Sequence, residues 1–153
     1  MLPALKLVSD SYSGSRTPAG GNGRAPKSSN GTDHKTTILV VEDEILIRMT
    51  AADHLRKSGY RVLEASNATE ALSIFAAGEP IELVFSDTDM PGRMTGNALA
   101  QWIVEHFPDV KVLLTSGEAH TSESPPSDRA PDVLKKPYTH DALTAHIRRL
   151  LAG

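Results

Sequence analysis

The feature that most constrains the fold of this chain is a repeated alternation of short apolar runs with amphipathic segments. The apolar runs are rich in Val, Ile, Leu and Phe, and they end at acidic or small polar residues. Such runs predict buried β-strands, whereas apolar residues that recur every three or four positions predict helices. A chain in which the two patterns alternate is typical of an α/β fold, with a parallel sheet covered by helices on both faces.

Five strands are predicted on this basis. In chain order they are Ile38–Val41, Arg61–Ala65, Leu83–Phe85, Val110–Leu114 and Asp132–Lys135. Right-handed crossovers between parallel strands leave few topologies for such a chain. We expect the doubly wound order 2-1-3-4-5, in which the first and third strands are neighbours.

Helical spacing of apolar residues predicts helices between and after these strands. In the first helix the spaced residues are Ile45, Met49, Ala52 and Leu55. In the last helix the residues expected to face the core are Leu143, Ile147, Leu150 and Leu151. Asn67, with Glu70 three residues later, resembles a capping box for the second helix. Thr95 and Thr139 are the predicted caps of two later helices.

The N-terminal segment has a different composition from the rest of the chain. Residues 9–35 are rich in Ser, Gly, Pro, Asn and Thr, and they carry almost no apolar residue after Tyr12. Such a segment buries too little surface to offset the entropy lost on ordering. We therefore predict a disordered N-terminal tail over residues 1–36 and a single folded domain over residues 37–153.

Composition argues against several classes of function. The chain has no cysteine, so disulfides and thiol chemistry are excluded. Its formal net charge of -3 and the lack of a long basic run give no electrostatic basis for direct nucleic-acid binding. No apolar run approaches the roughly 20 residues of a membrane span, and the first residues are too short for a secretory signal. We expect a cytoplasmic protein.

Reactive polar side chains closely follow four of the five predicted strands. They are Glu42 and Asp43 after the first strand, Asp87 after the third, Thr115 after the fourth and Lys136 after the fifth. In an open α/β sheet, ligands bind beyond the carboxyl ends of the strands, where the strand order reverses. We therefore expect three carboxylates, a hydroxyl and an ammonium group to meet at one point.

This set of groups suits phosphoryl chemistry. Three carboxylates close together repel one another, and a hard divalent cation such as Mg²⁺ removes that repulsion. With a cation and Lys136 to neutralise an incoming phosphoryl group, Asp87 is predicted to attack phosphorus, while Thr115 donates a hydrogen bond to a phosphoryl oxygen. The alternative interpretation is that these residues only cap turns and helices, as Asp often does.

From Thr37 to its C-terminus the sequence resembles a response-regulator receiver domain of two-component signalling, which implies a flavodoxin-like fold. The matching motifs, in order, are Glu42-Asp43 after Val-Val, Asp87 before Met90-Pro91-Gly92, Thr115 after Leu-Leu, and Lys136-Pro137. Each motif is short, but together they cover the landmark positions of the family.

The resemblance also implies roles for these residues. Asp87 is then the phosphoacceptor, Thr115 the switch hydroxyl, and Lys136 the residue that binds the phosphoryl group, followed by a cis Pro137. A Mg²⁺ ion is then held by the carboxylates of Glu42, Asp43 and Asp87. The backbone carbonyl of Asp89 completes the set of protein ligands.

The function implied is that of a stand-alone receiver. It accepts a phosphoryl group from a sensor histidine kinase or a phosphotransfer protein, and then presents a changed surface to a downstream protein. No enzymatic turnover is implied beyond the formation and loss of its own acyl phosphate.

Two other functions are compatible with parts of the sequence. Asp87-Thr88-Asp89 resembles the nucleophile motif of haloacid-dehalogenase-like phosphatases, in which the first Asp attacks phosphorus and the second is a general acid. Pro91, however, occupies a position where that motif has Thr or Val. A degenerate receiver that only binds a partner is the other alternative.

Three positions depart from the usual receiver pattern. The first acidic position holds Glu42 in place of Asp, and Asp89 adds a fourth carboxylate two residues after Asp87. Val133 occupies the position of the aromatic switch residue, and its branched side chain is too short to repeat the aromatic movement. We therefore expect the loop Ser116–Pro131 to carry the activation signal.

Overall fold

The computed structural model describes residues 34–117 and 130–153, which form an α/β fold. In chain order the elements are β1 (Thr37–Val41), α1 (Ile45–Lys57), β2 (Arg61–Ala65), α2 (Ala68–Ala76), β3 (Leu83–Asp87), α3 (Gly96–His106), β4 (Lys111–Ser116), β5 (Asp132–Lys135) and α4 (His140–Ala152). Nearly all of the predicted N-terminal tail and most of the predicted signalling loop, Ser116–Pro131, lie outside the described residues.

The strands form one parallel sheet with the order β2-β1-β3-β4-β5. This arrangement confirms the predicted fold class and strand order. Both β1 and β3 are buried along their whole length, as expected for the central strands of a sheet covered on both faces. Among the described helices, none is both long enough and apolar enough to span a membrane.

Alternate residues of β1 enter two separate hydrophobic cores. Leu39 and Val41 pack on one face of the sheet, where α2 and α3 contribute residues such as Phe75 and Ile103. Ile38 and Val40 pack on the other face, against residues of α1 and α4. This division follows from the period of two along a strand, and it explains the unbroken apolar runs Ile38–Val41 of β1 and Leu83–Phe85 of β3.

The predicted helix caps are present. Asn67 Oδ1 accepts a hydrogen bond from the backbone N–H of Glu70 over 2.8 Å, and the Glu70 carboxylate accepts one from the N–H of Ser66 over 2.7 Å. The Thr95 hydroxyl oxygen accepts from the N–H of Ala98 over 3.1 Å. These contacts satisfy backbone donors that have no partner inside their own helix.

Replacing Thr139 with Ala is expected to lower the free energy of unfolding by about 1 kcal/mol, the usual effect of losing an N-terminal cap. The Thr139 hydroxyl oxygen accepts from the backbone N–H of Ala142 over 3.0 Å at the start of α4. Urea denaturation followed by circular dichroism measures the change. Thr69→Ala is the control, because Thr69 is an exposed residue inside α2. Equal losses in the two variants would contradict the capping role.

The buried face of α1 differs in part from the one predicted. Ala52 and Leu55 are buried as expected, but Ile45 is 56% exposed and Met49 is 53% exposed. The helix begins beyond the carboxyl end of β1, so its first turns extend past the edge of the sheet and only its later turns cover the core. Helical spacing gave the correct element, but it does not show where the sheet ends.

Candidate functional site

The carboxyl ends of β1, β3 and β4 bring the predicted polar residues to one edge of the sheet. Asp87 is the last residue of β3 and pairs in register with Thr115 of β4. Paired residues on neighbouring parallel strands project to the same face, so Thr115 lies beside Asp87. Glu42 directly follows β1, the other neighbour of β3.

Carboxylate oxygens of three residues, Glu42, Asp43 and Asp87, all lie within 4.8 Å of one another. Glu42 and Asp87 are only 5% and 6% exposed, whereas Asp43 is exposed. Hard oxygen ligands at one open-sided point fit a divalent cation that keeps part of its water shell, as Mg²⁺ does. The donor set is therefore suitable for Mg²⁺.

Burial raises the pKa of Glu42 from its ordinary value of 4.5 to about 7. The Glu42 carboxylate accepts a hydrogen bond from the backbone N–H of Glu44 over 3.1 Å, which partly opposes the rise. The nearby carboxyl groups of Asp43 and Asp87 add to the rise. Near neutral pH a proton therefore competes with a cation for this carboxyl group.

Binding of Mg²⁺ is expected to weaken as the pH falls below about 7, because Glu42 must lose its proton to act as a ligand. Release of one proton limits the effect to about tenfold in affinity per pH unit. Calorimetric titration with Mg²⁺ at about pH 6 and about pH 8 measures it, with Glu42→Gln as the variant in which this dependence is lost. Equal affinities of the wild-type protein at the two pH values would contradict the assignment.

The same raised pKa affects stability in the opposite direction. Without a cation, the folded protein holds the Glu42 proton more tightly than the unfolded chain does. This contribution to stability is present below pH 4.5 and is lost as the pH rises through about 7. Mg²⁺ is then expected to raise the melting temperature more at high pH than at low pH.

Both oxygens of the Asp87 carboxylate have partners. The Lys136 ammonium group donates to Asp87 Oδ2 over 2.9 Å, and the backbone N–H of Asp89 donates to Oδ1 over 3.0 Å. Partial burial acts against the charge of Lys136, but its contact with Asp87 outweighs this, so the pKa of Lys136 is raised. These two contacts fix the orientation of the Asp87 carboxylate and keep the positively charged Lys136 ammonium group beside one of its oxygens. The side chain of Asp89 is exposed.

The Lys136–Pro137 peptide bond is cis. A cavity of about 670 Å³ opens beside it, between the start of α1 and the β5–α4 connection. Its lining includes Leu46, Ile47, Thr50, Pro137, Tyr138 and His140. The ring of Tyr138 packs edge-on against Phe85 at 5.8 Å. Val133, at the predicted aromatic position, is 48% exposed on β5.

Two residues that the sequence did not single out help to shape the site. Thr88 directs both its backbone N–H and its hydroxyl to the carbonyl of Thr115, over 3.0 and 3.1 Å, and so joins the ends of β3 and β4. Gly96 lies so close to the end of β3 that a Cβ atom would overlap the backbone oxygen of Asp87. A glycine at the first position of a helix, where better helix formers are available, is the sequence signal for the second residue.

The sequence of this chain is similar to those of known proteins. A family model described as a response regulator receiver domain matches residues 38–148. The response regulator receiver protein CpdR of Brucella abortus (strain 2308) is 34% identical over 116 residues, which cover 74% of this chain and 95% of CpdR.

Two further matches differ in extent. The sensor kinase CckA of Brucella abortus (strain 2308) is 34% identical over 118 residues. The matched region covers 75% of this chain but only 12% of that kinase. The crystal structure of the response regulator TrrA from Thermotoga maritima, in complex with Mg²⁺-BeF, is 32% identical with a TM-score of 0.67. That match covers 76% of this chain and 99% of TrrA.

Proposed function

The chain belongs to the response regulator receiver domain family of two-component signalling, and we propose that Asp87 is its phosphoacceptor. The observation that supports this most strongly is the Lys136 ammonium group 2.9 Å from the buried Asp87 carboxylate, in a group that also includes Glu42 and Asp43. Residues 37–153 form the proposed receiver domain.

In the proposed reaction an oxygen of Asp87 attacks the phosphorus of a donor. The new O–P bond forms as the bond from phosphorus to the leaving group breaks, and the leaving group keeps the electron pair. Lys136 neutralises charge on the phosphoryl oxygens, and Thr115, in register with Asp87, donates a hydrogen bond to one of them. The Asp89 N–H holds the orientation of the carboxylate before attack.

The cation site is assigned to the carboxylates of Glu42, Asp43 and Asp87 together with the backbone carbonyl of Asp89. Bound Mg²⁺ supplies positive charge that offsets the repulsion between these carboxylates and the incoming phosphoryl group. The similarity to TrrA, whose structure is a complex with Mg²⁺-BeF, supports this assignment.

We infer that the phosphodonor is a phosphohistidine of a sensor histidine kinase or of a phosphotransfer protein. Part of the sensor kinase CckA is similar to this chain, which supports such a pairing. A downstream protein is then expected to recognise the phosphorylated surface. Activity of this chain as an enzyme is limited, in this proposal, to forming and hydrolysing its own acyl phosphate.

Incubation with acetyl phosphate and Mg²⁺, followed by intact-mass analysis, tests the proposal. The expected product carries a single phosphoryl group, and chelation of the cation prevents its formation. In a parallel assay the protein is expected not to turn over p-nitrophenyl phosphate, as a haloacid-dehalogenase-like phosphatase would. Turnover of that ester, or labelling that does not require Mg²⁺, would contradict the proposal.

A further inference from the structure

We propose that Arg48 is a positioning residue for the cation site, an inference that rests on the proposed function. Arg48 lies near the start of α1, and its guanidinium donates to the backbone carbonyl of Glu42 over 2.9 Å. Glu42 supplies one of the carboxylates in the proposed site. Arg48 therefore contacts the backbone of a proposed ligand and is not itself a ligand.

The contact gives the backbone of Glu42 a second anchor. The backbone N–H of Glu42 donates to the carbonyl of Ala65 at the end of β2, over 3.0 Å. With its carbonyl held by Arg48, both backbone polar groups of Glu42 have partners. The Glu42 carboxylate can then move mainly by rotation of its own side chain. The hydrogen bond from the N–H of Glu44 restricts that rotation.

The junction between β1 and α1 has no side-chain cap on the helix. Glu44, the N-terminal cap residue of α1, makes no capping hydrogen bond with its side chain. The other three described helices, α2, α3 and α4, each begin at a side-chain cap. At α1 the Arg48 side chain instead extends back from the first turns of the helix to the end of β1, and so connects the two elements.

The guanidinium is itself held in place. Its Nε atom lies 3.5 Å from the carboxylate of Glu64 on β2, and only 16% of the Arg48 side chain is exposed. The planar guanidinium is pre-organised, so it loses little conformational freedom for each hydrogen bond that it forms. Arg48 is therefore a rigid donor.

Arg56 provides a matched comparison within the same ion-pair network. It also pairs with Glu64, over 2.9 Å, but its other contact is the carbonyl of Val62, and 47% of its side chain is exposed. Removal of either arginine leaves Glu64 with one cationic partner. Only the removal of Arg48 frees the carbonyl of Glu42.

Mg²⁺ affinity, measured by isothermal titration calorimetry on the full chain, tests the inference. Groups that orient metal ligands typically contribute 10- to 100-fold to affinity. We expect Arg48→Met to weaken Mg²⁺ binding about tenfold, and Arg56→Met to change it by less than about twofold. Arg48→Lys, which keeps a charged donor on a different stem, is expected to fall between wild type and Arg48→Met, and it decides the question if Arg48→Met does not fold.

A second readout separates positioning from a direct role in phosphoryl transfer. With acetyl phosphate as the donor, the Arg48 variants are expected to need more Mg²⁺ for half-maximal labelling but to reach the wild-type rate at saturating Mg²⁺. Equal Mg²⁺ affinities in the Arg48 and Arg56 variants would overturn the inference, as would a lowered rate at saturation with unchanged affinity. Failure of the wild-type protein to bind Mg²⁺ would instead overturn the proposed function, and this inference with it.

Discussion

Asp87→Asn is expected to abolish labelling by acetyl phosphate, so that the intact mass of the variant does not change under conditions that label the wild-type protein fully. The amide has nearly the same shape as the carboxylate but is not a nucleophile at phosphorus. It also removes one negative charge from a group of three carboxylates whose atoms lie within 4.8 Å. This relief offsets the weakened contact with Lys136, so the variant should still fold, which thermal denaturation checks.

Asp89→Asn is the informative comparison for this experiment. Its exposed side chain lies two residues from Asp87, and only its backbone contacts the Asp87 carboxylate. This variant should still gain one phosphoryl group, although the lifetime of the product can change. Full labelling of Asp87→Asn, or loss of labelling only in Asp89→Asn, would show that the acceptor has been assigned wrongly.

The second large effect is expected at Lys136. Lys136→Met should lower the initial rate of labelling about 100-fold, because removal of one charged group that stabilises the transition state typically has an effect of this size. The Nζ atom lies 2.9 Å from Asp87 Oδ2, so it is the nearest described cation to the Asp87 carboxylate. Rates are measured by quenched intact-mass analysis at saturating Mg²⁺.

Lys135→Met serves as the control for Lys136→Met. Lys135 is the adjacent residue, carries the same charge and is exposed on β5. Loss of Lys135 changes the net charge of the protein by the same amount as loss of Lys136, but it leaves the ion pair between Lys136 and Asp87 in place. Similar rates for the two variants would mean that overall charge attracts the donor and that Lys136 has no specific role.

The pattern of the sequence was sufficient to predict the fold because strands and helices of this chain differ clearly in apolar period. The apolar runs Ile38–Val41 and Leu83–Phe85 indicated buried strands, and the polar residues at Asn67, Thr95 and Thr139 marked helix starts. The exposure of Ile45 and Met49 was not predictable in the same way. It depends on where the sheet ends relative to α1, which is a property of the tertiary structure.

The candidate site was predictable in its membership but not in its details. Order along the chain and the strand-end rule indicated that Glu42, Asp43 and Asp87 would meet. The roles of Gly96 and Arg48 depend on close approaches between consecutive elements, which apolar spacing does not show. The raised pKa of Glu42 depends on burial, which spacing alone does not give.

Reductive trapping of the phosphorylated protein tests the central claim most directly. Borohydride converts the acyl phosphate of an aspartate to homoserine, and peptide mass spectrometry then locates the modified residue. We predict homoserine at position 87, and only after treatment with both acetyl phosphate and Mg²⁺. Homoserine at Asp43 or Asp89, or a phosphoryl group that borohydride does not remove, would contradict the assignment of Asp87 as the phosphoacceptor.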